Sequence, residues 1–457
     1  MKEKIRIASG QGFWGDIVDA PIKQVNAGDI DYLVMDYLAE VTMSILQKQK
    51  NKNPKLGYAK DIPELMKKIL PVCRQKNIKV ITNGGGVNPE ACAEAILDVA
   101  NSLSINDLKI AVVLGDNIKD EIEKIITDGC KLNNMESGES IESVKEKLLS
   151  ANVYFGAMPI VEALRMNADI VITGRTTDTG LTLAPMIYEF DWDENNFDLI
   201  AAGTIAGHIL ECGGQASGGN LLANWESVPD LANIGFPIAE AYPNGEFVIT
   251  KHELLGGKVS FETVAEQLVY EIGDPKKYIT PDCIADFTSI HLEEIGKDRV
   301  KVFGIKGFAP TETYKVSCSY LNGYSASGSL TYSWPKALTK AKAADEILRG
   351  RLKNLNLKFD EIRTEFVGYN SCHGPLAEKI DEDKINEVML RVAVRGNDYE
   401  SIERFGKEIA PLILTGPPSV TGFAGGRSKP SEVVAYWPAL IPKKLVTPSV
   451  KIFNSAD

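Results

Sequence analysis

The sequence predicts an α/β protein: a mostly parallel sheet with flanking helices, followed by a smaller C-terminal α+β module. Three observations carry this reading. Up to about residue 190, short β-branched runs alternate with amphipathic stretches of helical length, which is the rhythm of repeated βα units. Each apolar run ends in small or polar residues, as strands of a parallel sheet do where ligands bind just past their carboxyl ends. After about residue 310 the order changes to strand, strand, helix, strand, strand, helix, which suits an α+β layer.

Strands are predicted at residues 5–8, 32–35, 79–82, 111–114, 153–155 and 170–173, followed by SGQGFWGD, DYLAE, NGGGVNPE, GDN, GAMP and GRTTD. Helical patterns at 18–26, 40–49, 62–76, 89–101, 119–128 and 179–188 fill the intervals. Pro89 behind Asn88 marks a helix start with an Asn cap. A barrel-like closure fits the same rhythm, but an eight-fold barrel needs about eight such units and only these runs are clean, so the open sheet is preferred. Further on, Thr204 to Cys212 has a helical pattern ending in a Gly pair, and IAEAYPNGEFVITK reads as two strands joined by an Asn-Gly hairpin turn. Residues 1–309 are therefore expected to form one α/β domain, with βα units to about 190 and a glycine-rich site segment at 203–220. Residues 310–413 form the α+β module: a hairpin of strands 314–321 and 327–333 turning at Asn322 and Gly323, a helix at 335–354, strands at 362–369 and 387–394, and a helix at 399–409. The tail, 414–457, is rich in Gly and Pro and is expected to be extended, either packing on a neighbouring surface or closing over a site.

Composition narrows the function classes. With 50 Lys and Arg against 62 Asp and Glu the net charge is −12, which argues against nucleic acid because the phosphate backbone is bound by an excess of cations. No run of about 18 apolar residues occurs, so no membrane span is expected. The N-terminal residues lack the apolar stretch of a signal peptide. The 7 cysteines form no C-x-x-C pair and read as reduced thiols, which points to the cytoplasm.

The residues able to carry chemistry fall into three groups. In GHILECGGQASGGN, helical spacing puts His208, Glu211 and Cys212 on one face, a base, a carboxylate and a thiol suited to proton transfer or nucleophilic catalysis. The alternative is a small buried thiol, a solvated carboxylate and glycines that merely end a helix. Gln215, Ser217, Gly218 and Gly219 follow as a candidate anion-binding loop. In ITGRTTDTG, Gly174 and Arg175 stand at a strand end with Asp178 where a helix begins, suiting carboxylate or phosphate recognition, or else an Arg175–Asp178 structural pair with Asp178 capping the helix. Asp36, Glu40, Asn83 and Asp116 also sit at strand ends. As a set Asn83 could touch substrate while Asp36, Glu40 and Asp116 are candidate ligands for a divalent metal ion, the one cofactor these residues suggest. The remaining histidines are less informative: His252 could line the cleft, His291 reads as a strand residue, and Cys372 with His373 follow a predicted strand and are expected outside the site rather than reaching it from the second module.

On DYLAE, GRTTD, GHILECGGQASGG, HELLGG and VSFETVAEQLVYEIGDPKKYITPD, in that order over residues 4–350, the chain resembles the acyclic terpene utilisation (AtuA-like) family. The resemblance implies breakdown of citronellol- and geraniol-type compounds through acyl-CoA intermediates, so that CoA would enter as part of the substrate. Many relatives are longer by a C-terminal domain of about a hundred residues; since this chain stops at Asp457, the resemblance implies a small separate partner protein and a homo- or hetero-oligomer. The expected function is a catabolic enzyme acting on a small branched carboxylic acid or its acyl-CoA thioester by proton transfer, of the lyase, hydratase or isomerase type. The alternatives are a cysteine-dependent acyl-CoA thioesterase or transferase, and a non-catalytic acyl-CoA-binding or scaffolding subunit.

Overall fold

In the computed structural model, residues 2–378, 380–423 and 426–455 are described, so residues 424–425 and 456–457 of the expected tail lie outside the described residues. Along the chain, the first elements are β1 (Ile5–Gln11), α1 (Ala20–Ala27), β2 (Tyr32–Met35), α2 (Glu40–Lys52), α3 (Ile62–Lys76), β3 (Lys79–Thr82), α4 (Pro89–Ser102), β4 (Lys109–Leu114), α5 (Ile122–Thr127), β5 (Leu148–Val153), α6 (Met158–Arg165), β6 (Ile170–Thr173), α7 (Gly180–Phe190) and α8 (Phe197–Leu210). Then come β7 (Ile238–Ala241), β8 (Phe247–Thr250), α9 (Phe261–Val269), β9 (Tyr278–Ile279), β10 (Ile284–Asp286), β11 (His291–Gly296), β12 (Arg299–Phe303), β13 (Lys306–Phe308) and β14 (Thr313–Ser333). The last are α10 (Ala337–Asn354), β15 (Glu361–Val367), β16 (Glu387–Gly396), α11 (Tyr399–Gly406), α12 (Leu412–Thr415), β17 (Val420–Thr421), β18 (Ser431–Pro442) and β19 (Ser449–Asn454).

The chain forms two compact units. One runs to Ser319 and resumes at Tyr436; the other is Tyr320–Ala435. The first is built on a ten-stranded sheet in the order β11-β12-β8-β7-β1-β2-β3-β6-β4-β19. Its middle strands, β1, β2, β3, β6 and β4, are parallel. Every other pairing, β1 with β7 onward to β11 and β4 with β19, is antiparallel. The sheet is thus mixed, which corrects the expectation of a mostly parallel one: the β7–β8 hairpin and the β11–β12 pair extend the parallel core with antiparallel strands.

Alternation along the central strands separates two faces. Ala8, Leu33, Met35, Val80, Ile110, Val112, Ile170 and Ile172 join one core with α1, α3 and α4. In α3 the apolar residues Ile62, Leu65, Met66, Ile69, Leu70 and Cys73 recur at helical spacing, and all are buried in that core. The helix stops at Asn77, whose left-handed backbone (φ 55°) lets Ile78 N–H reach back to the carbonyl of Cys73 at 2.8 Å. On the other face lie α6, α7 and α8. Asn88 does occupy the cap position of α4, but its side chain donates to the carbonyls of Pro54 and Leu56 rather than capping the helix. The strand expected at 153–155 is displaced: β5 lies earlier, outside the main sheet, and pairs with β14.

In the second unit an antiparallel sheet ordered β15-β16-β14-β17 packs α10 and α11 over a core that includes Leu330, Tyr332, Leu338, Leu348, Val388, Leu390, Ile402 and Phe405. Asn322 and Gly323 do not close the expected hairpin. β14 runs unbroken through them, and its pairing with β16 continues from Tyr324 against Gly396 to Ser333 against Glu387. No helix among the described residues is long and apolar enough to cross a membrane.

Candidate functional site

Because β1, β2, β3, β6 and β4 run parallel, their carboxyl ends open on one side, and the polar segments that follow them meet there. After β2, Asp36 N–H donates to the carbonyl of Gln11 at 3.0 Å. Asn83, after β3, is clamped at both ends of its amide: Oδ1 accepts from Tyr37 N–H at 2.8 Å and Nδ2 donates to Asp36 Oδ1 at 2.6 Å. It orients the Asp36 segment, so the expectation that it touches substrate gives way to a positioning role. After β4, Asp116 Oδ2 accepts from Arg175 N–H at 2.9 Å and Asn152 Nδ2 at 2.8 Å. Gly174 is needed beside it, since a Cβ there would stand 2.4 Å from Asp116 Oδ1.

Arg175 is the centre of the cluster, with a side chain only 2% exposed. Nη1 donates to the carbonyl of Leu38 at 2.6 Å and lies 3.3 Å from Asp178 Oδ1, the guanidinium covers the Tyr154 ring at 4.2 Å, and Nε has no hydrogen-bond partner. Burial works against its charge, but Asp178, Tyr154, Asp36 and Glu40 outweigh it and keep Arg175 cationic. On the opposite flank, Tyr154 O–H donates to Glu40 Oε1 at 2.9 Å, and Lys315 stands 3.7 Å from the same oxygen, 5.0 Å from the Tyr154 ring and 5.6 Å from that of Tyr436.

One guanidinium therefore serves several carboxylates, and their proton affinities diverge. Burial raises the Glu40 pKa, yet Arg175, a backbone N–H, Tyr154 and Lys315 together bring it below the ordinary value, so Glu40 is ionised. Burial pushes Asp36 up to about 6 against the pull of Asn83 and Arg175, with Glu211 adding to the rise. Asp178 is driven well above the usual carboxylate range, first by burial and then by the charges of Asp36, Glu211 and Glu40, which Arg175 only partly offsets. Its side chain nonetheless keeps 35% exposure, while Oδ1 is sealed and makes no hydrogen bond. The carboxyl thus sits in a recess, one oxygen turned inward and the other reachable from solvent. Asp178 does not cap α7, whose cap position is Thr179.

The glycine-rich segment approaches from α8. Gly203 and Gly207 are one turn apart on that helix, and a Cβ on Gly207 would stand 2.5 Å from the carbonyl oxygen of Thr179. Their absence of side chains lets α8 lie directly on the start of α7, and the charge of Glu211 at the end of α8 adds to the rise of the Asp178 and Asp36 pKa values. His208 Nε2 lies 3.0 Å from the carbonyl of Gln267 and so carries a proton, since a carbonyl only accepts. Its Nδ1 is 2.8 Å from Glu211 Oε1, an ion-pair distance off the line of a hydrogen bond, and the ring rests between Tyr278 and Phe287. Burial disfavours the imidazolium, but Glu211 and the carbonyls raise the His208 pKa above its usual value. Glu211 Oε2 is sealed and unpartnered.

Several expectations are corrected by this geometry. Cys212 lies past the end of α8, and burial, then the charge of Glu211, pushes its thiol up to about 12. With His208 committed to Gln267 and Glu211, the pair lacks the thiolate and base of a nucleophilic cysteine. Gly218 and Gly219 do not present free amides to an anion: their N–H groups donate to Gln215 and Gly214 carbonyls within a turn over Gly213–Ser217. Ser217 is fully buried and Gln215 half-buried. Asp36, Glu40 and Asp116 each give one oxygen, to Asn83, Tyr154 and Asn152 respectively, and among the described residues no group of three His, Cys, Asp or Glu is placed to hold a metal ion. His252 does not line the cleft; it is buried against Gly28 with Nε2 3.0 Å from the carbonyl of Gln24. His291 begins strand β11 as expected, and Cys372 and His373 are exposed in the second unit.

Sequence reasoning missed Tyr154, Lys315, Gln267 and Tyr278. Tyr154 stands just before the GAMP segment and Gln267 and Tyr278 lie within VSFETVAEQLVYEIGDPKKYITPD, whereas Lys315 had no signal. A cleft of about 580 Å3 in the same unit is lined by Asp282, Lys443 and Tyr314 among others. Two of its charges hold the walls, Asp282 on Ala157 N–H at 2.9 Å and Lys443 on the Pro281 carbonyl at 2.8 Å, while Glu162, Arg165 and Glu194 also line it. The strand-end cluster, where buried polar atoms stand unpartnered, is the stronger catalytic candidate.

The family model of the acyclic terpene utilisation family protein AtuA matches residues 5–452, which takes in every segment of this cluster. The chain belongs to the AtuA family. The match also extends well past residue 350, the limit of the resemblance read from the sequence. No curated protein and no solved structure matches the chain. For this member of the AtuA family, evidence on activity lies in the chemistry of the site itself.

Proposed function

We propose that the strand-end cluster is a proton-transfer site acting on a small branched carboxylic acid or its acyl-CoA thioester, in reactions of the lyase, hydratase or isomerase class. The observation that carries this reading is the gathering of carboxyl groups around the buried Arg175, whose Nη1 lies 3.3 Å from Asp178 Oδ1, with their pKa values pushed in opposite directions, Asp178 up and Glu40 down. Environments that push carboxyl pKa values apart make an acid and a base from the same functional group. In this scheme Asp178 gives up a proton through its solvent-reachable oxygen. Glu40, whose side chain is 40% exposed and whose pKa is lowered, takes one. Arg175 keeps the cluster's charge balanced and Asp116 with Gly174 holds its backbone in place. AtuA membership favours acyclic branched substrates over other acids.

The test is proton exchange rather than a guessed product. Short branched acids and their CoA thioesters are incubated with the protein in D2O, and deuterium entry beside the carbonyl is followed by NMR. Entry with the parent, falling about 10²- to 10⁴-fold in Glu40→Gln and Asp178→Asn while Cys212→Ser exchanges normally, is the expected result. Exchange that survives both carboxyl substitutions in folded protein, or no exchange with any of these compounds, would sink the reading.

A further inference from the structure

The second unit holds a cavity of about 400 Å3 lined by Ser327 and Ser329 of β14, Arg391 of β16, Phe423, and Arg427 and Lys429 from the glycine-rich segment before β18. No acidic side chain lines it. Arg391 is already neutralised, its Nε donating to Glu365 Oε2 at 2.6 Å. Arg427 and Lys429 are exposed, and among the described residues neither forms an ion pair. Two unpaired cations with two hydroxyls in one cavity stand out in a chain of net charge −12, where long-range repulsion of anions has to be overcome locally. The segment that carries them is laid hard against the sheet's helix layer: a Cβ on Gly406 would stand 2.0 Å from the Ser428 carbonyl oxygen, so the glycine lets residues 426–429 reach the cavity. Phe423, 38% exposed, adds a flat apolar wall.

We infer that this cavity binds a phosphorylated nucleotide, with Arg427 and Lys429 on the phosphates, Ser327 and Ser329 as hydroxyl donors and Phe423 against the base. Its volume falls in the range of about 300–1,000 Å3 typical of small-molecule sites, too large for inorganic phosphate alone. The site is separate from the strand-end cluster and does not depend on the proton-transfer reading. The ligand's source is either a free nucleoside diphosphate or the nucleotide end of coenzyme A, which differ by a 3′-phosphate.

The full chain is titrated calorimetrically with ADP, adenosine 3′,5′-bisphosphate, pyrophosphate and adenosine at two salt concentrations. Binding of either nucleotide, weaker binding of pyrophosphate, none of adenosine, and weakening by salt are expected. Arg427→Ala and Lys429→Ala, both at exposed positions and checked by circular dichroism, each lower affinity about 10- to 100-fold, and Arg427→Lys recovers part of the loss. Preference for the bisphosphate assigns the site to coenzyme A, and preference for ADP to a free nucleotide. Absence of nucleotide binding, pyrophosphate binding as tightly as either nucleotide, or affinity unchanged in both alanine variants would overturn the inference.

Discussion

Asp116 offers a quantitative check on how the strand-end cluster is held. Its carboxyl is 5% exposed and burial moves it from 3.8 to about 6, against hydrogen bonds from Arg175 N–H and Asn152. Between those two values the folded chain keeps a proton that the unfolded chain releases. Its contribution to stability is therefore whole below about pH 4, declines as pH rises, and is gone above about pH 6. At about 1.36 kcal/mol for each pH unit, the interval corresponds to ~3 kcal/mol. Asp116→Asn removes the titrating proton while leaving an oxygen that accepts from Arg175 N–H. Urea unfolding followed by tryptophan fluorescence at steps from pH 4 to pH 7 should show the parent losing ~3 kcal/mol more than the variant across that range. Other carboxyls contribute equally to both proteins and cancel in the comparison. Parallel stability curves, differing by less than about 1 kcal/mol in their pH dependence, would mean that Asp116 is ionised without cost and that the dry environment inferred around Arg175 is wrong.

Three further outcomes follow from particular contacts. Gly174→Ala places a methyl 2.4 Å from Asp116 Oδ1 and should cost about 1–3 kcal/mol, read as a lowered melting temperature; an unchanged melt would show that the close approach is not tight. Glu211→Gln removes the charge that raises the His208 pKa, so the imidazole should titrate at lower pH by NMR, and an unmoved titration would break the proposed pairing. With its thiol pushed up to about 12, Cys212 should resist iodoacetamide at pH 7.5 while exposed Cys372 is alkylated, as mapped by mass spectrometry; faster labelling of Cys212 would restore the nucleophile reading.

The sequence made the parallel core legible because β2, β3 and β6 are buried on both faces and read as unbroken apolar runs. It showed the β7–β8 hairpin through its Asn-Gly turn but hid how the flank continues: β12 is only half-buried in alternation, a pattern that gives no hint of which strand it will join. Local signals also misled where distant partners decide. Asn322-Gly323 has hairpin chemistry, yet β16 pairs along the strand beyond it and keeps the chain extended. In the site, His208 and Glu211 were visible through their spacing on one helix. Lys315 was not, since it meets Tyr154 only through the tertiary ladder in which Tyr154 N–H donates to the Lys315 carbonyl at 2.9 Å. The glycines at 218 and 219 resemble an anion loop until the hydrogen bonds show their amides spent inside a turn.

The pairing of β19 with β4, Ser449 against Leu114 through Asn454 against Lys109, bears on how the protein is made. β4 leaves the ribosome some 335 residues before the strand that covers its edge. At roughly 5–20 residues per second that is about 17–67 s during which the nascent parallel core shows a bare row of backbone donors and acceptors. Such an edge invites pairing with another chain, so the yield of soluble protein should depend on translation speed and on chaperones that shield the emerging sheet.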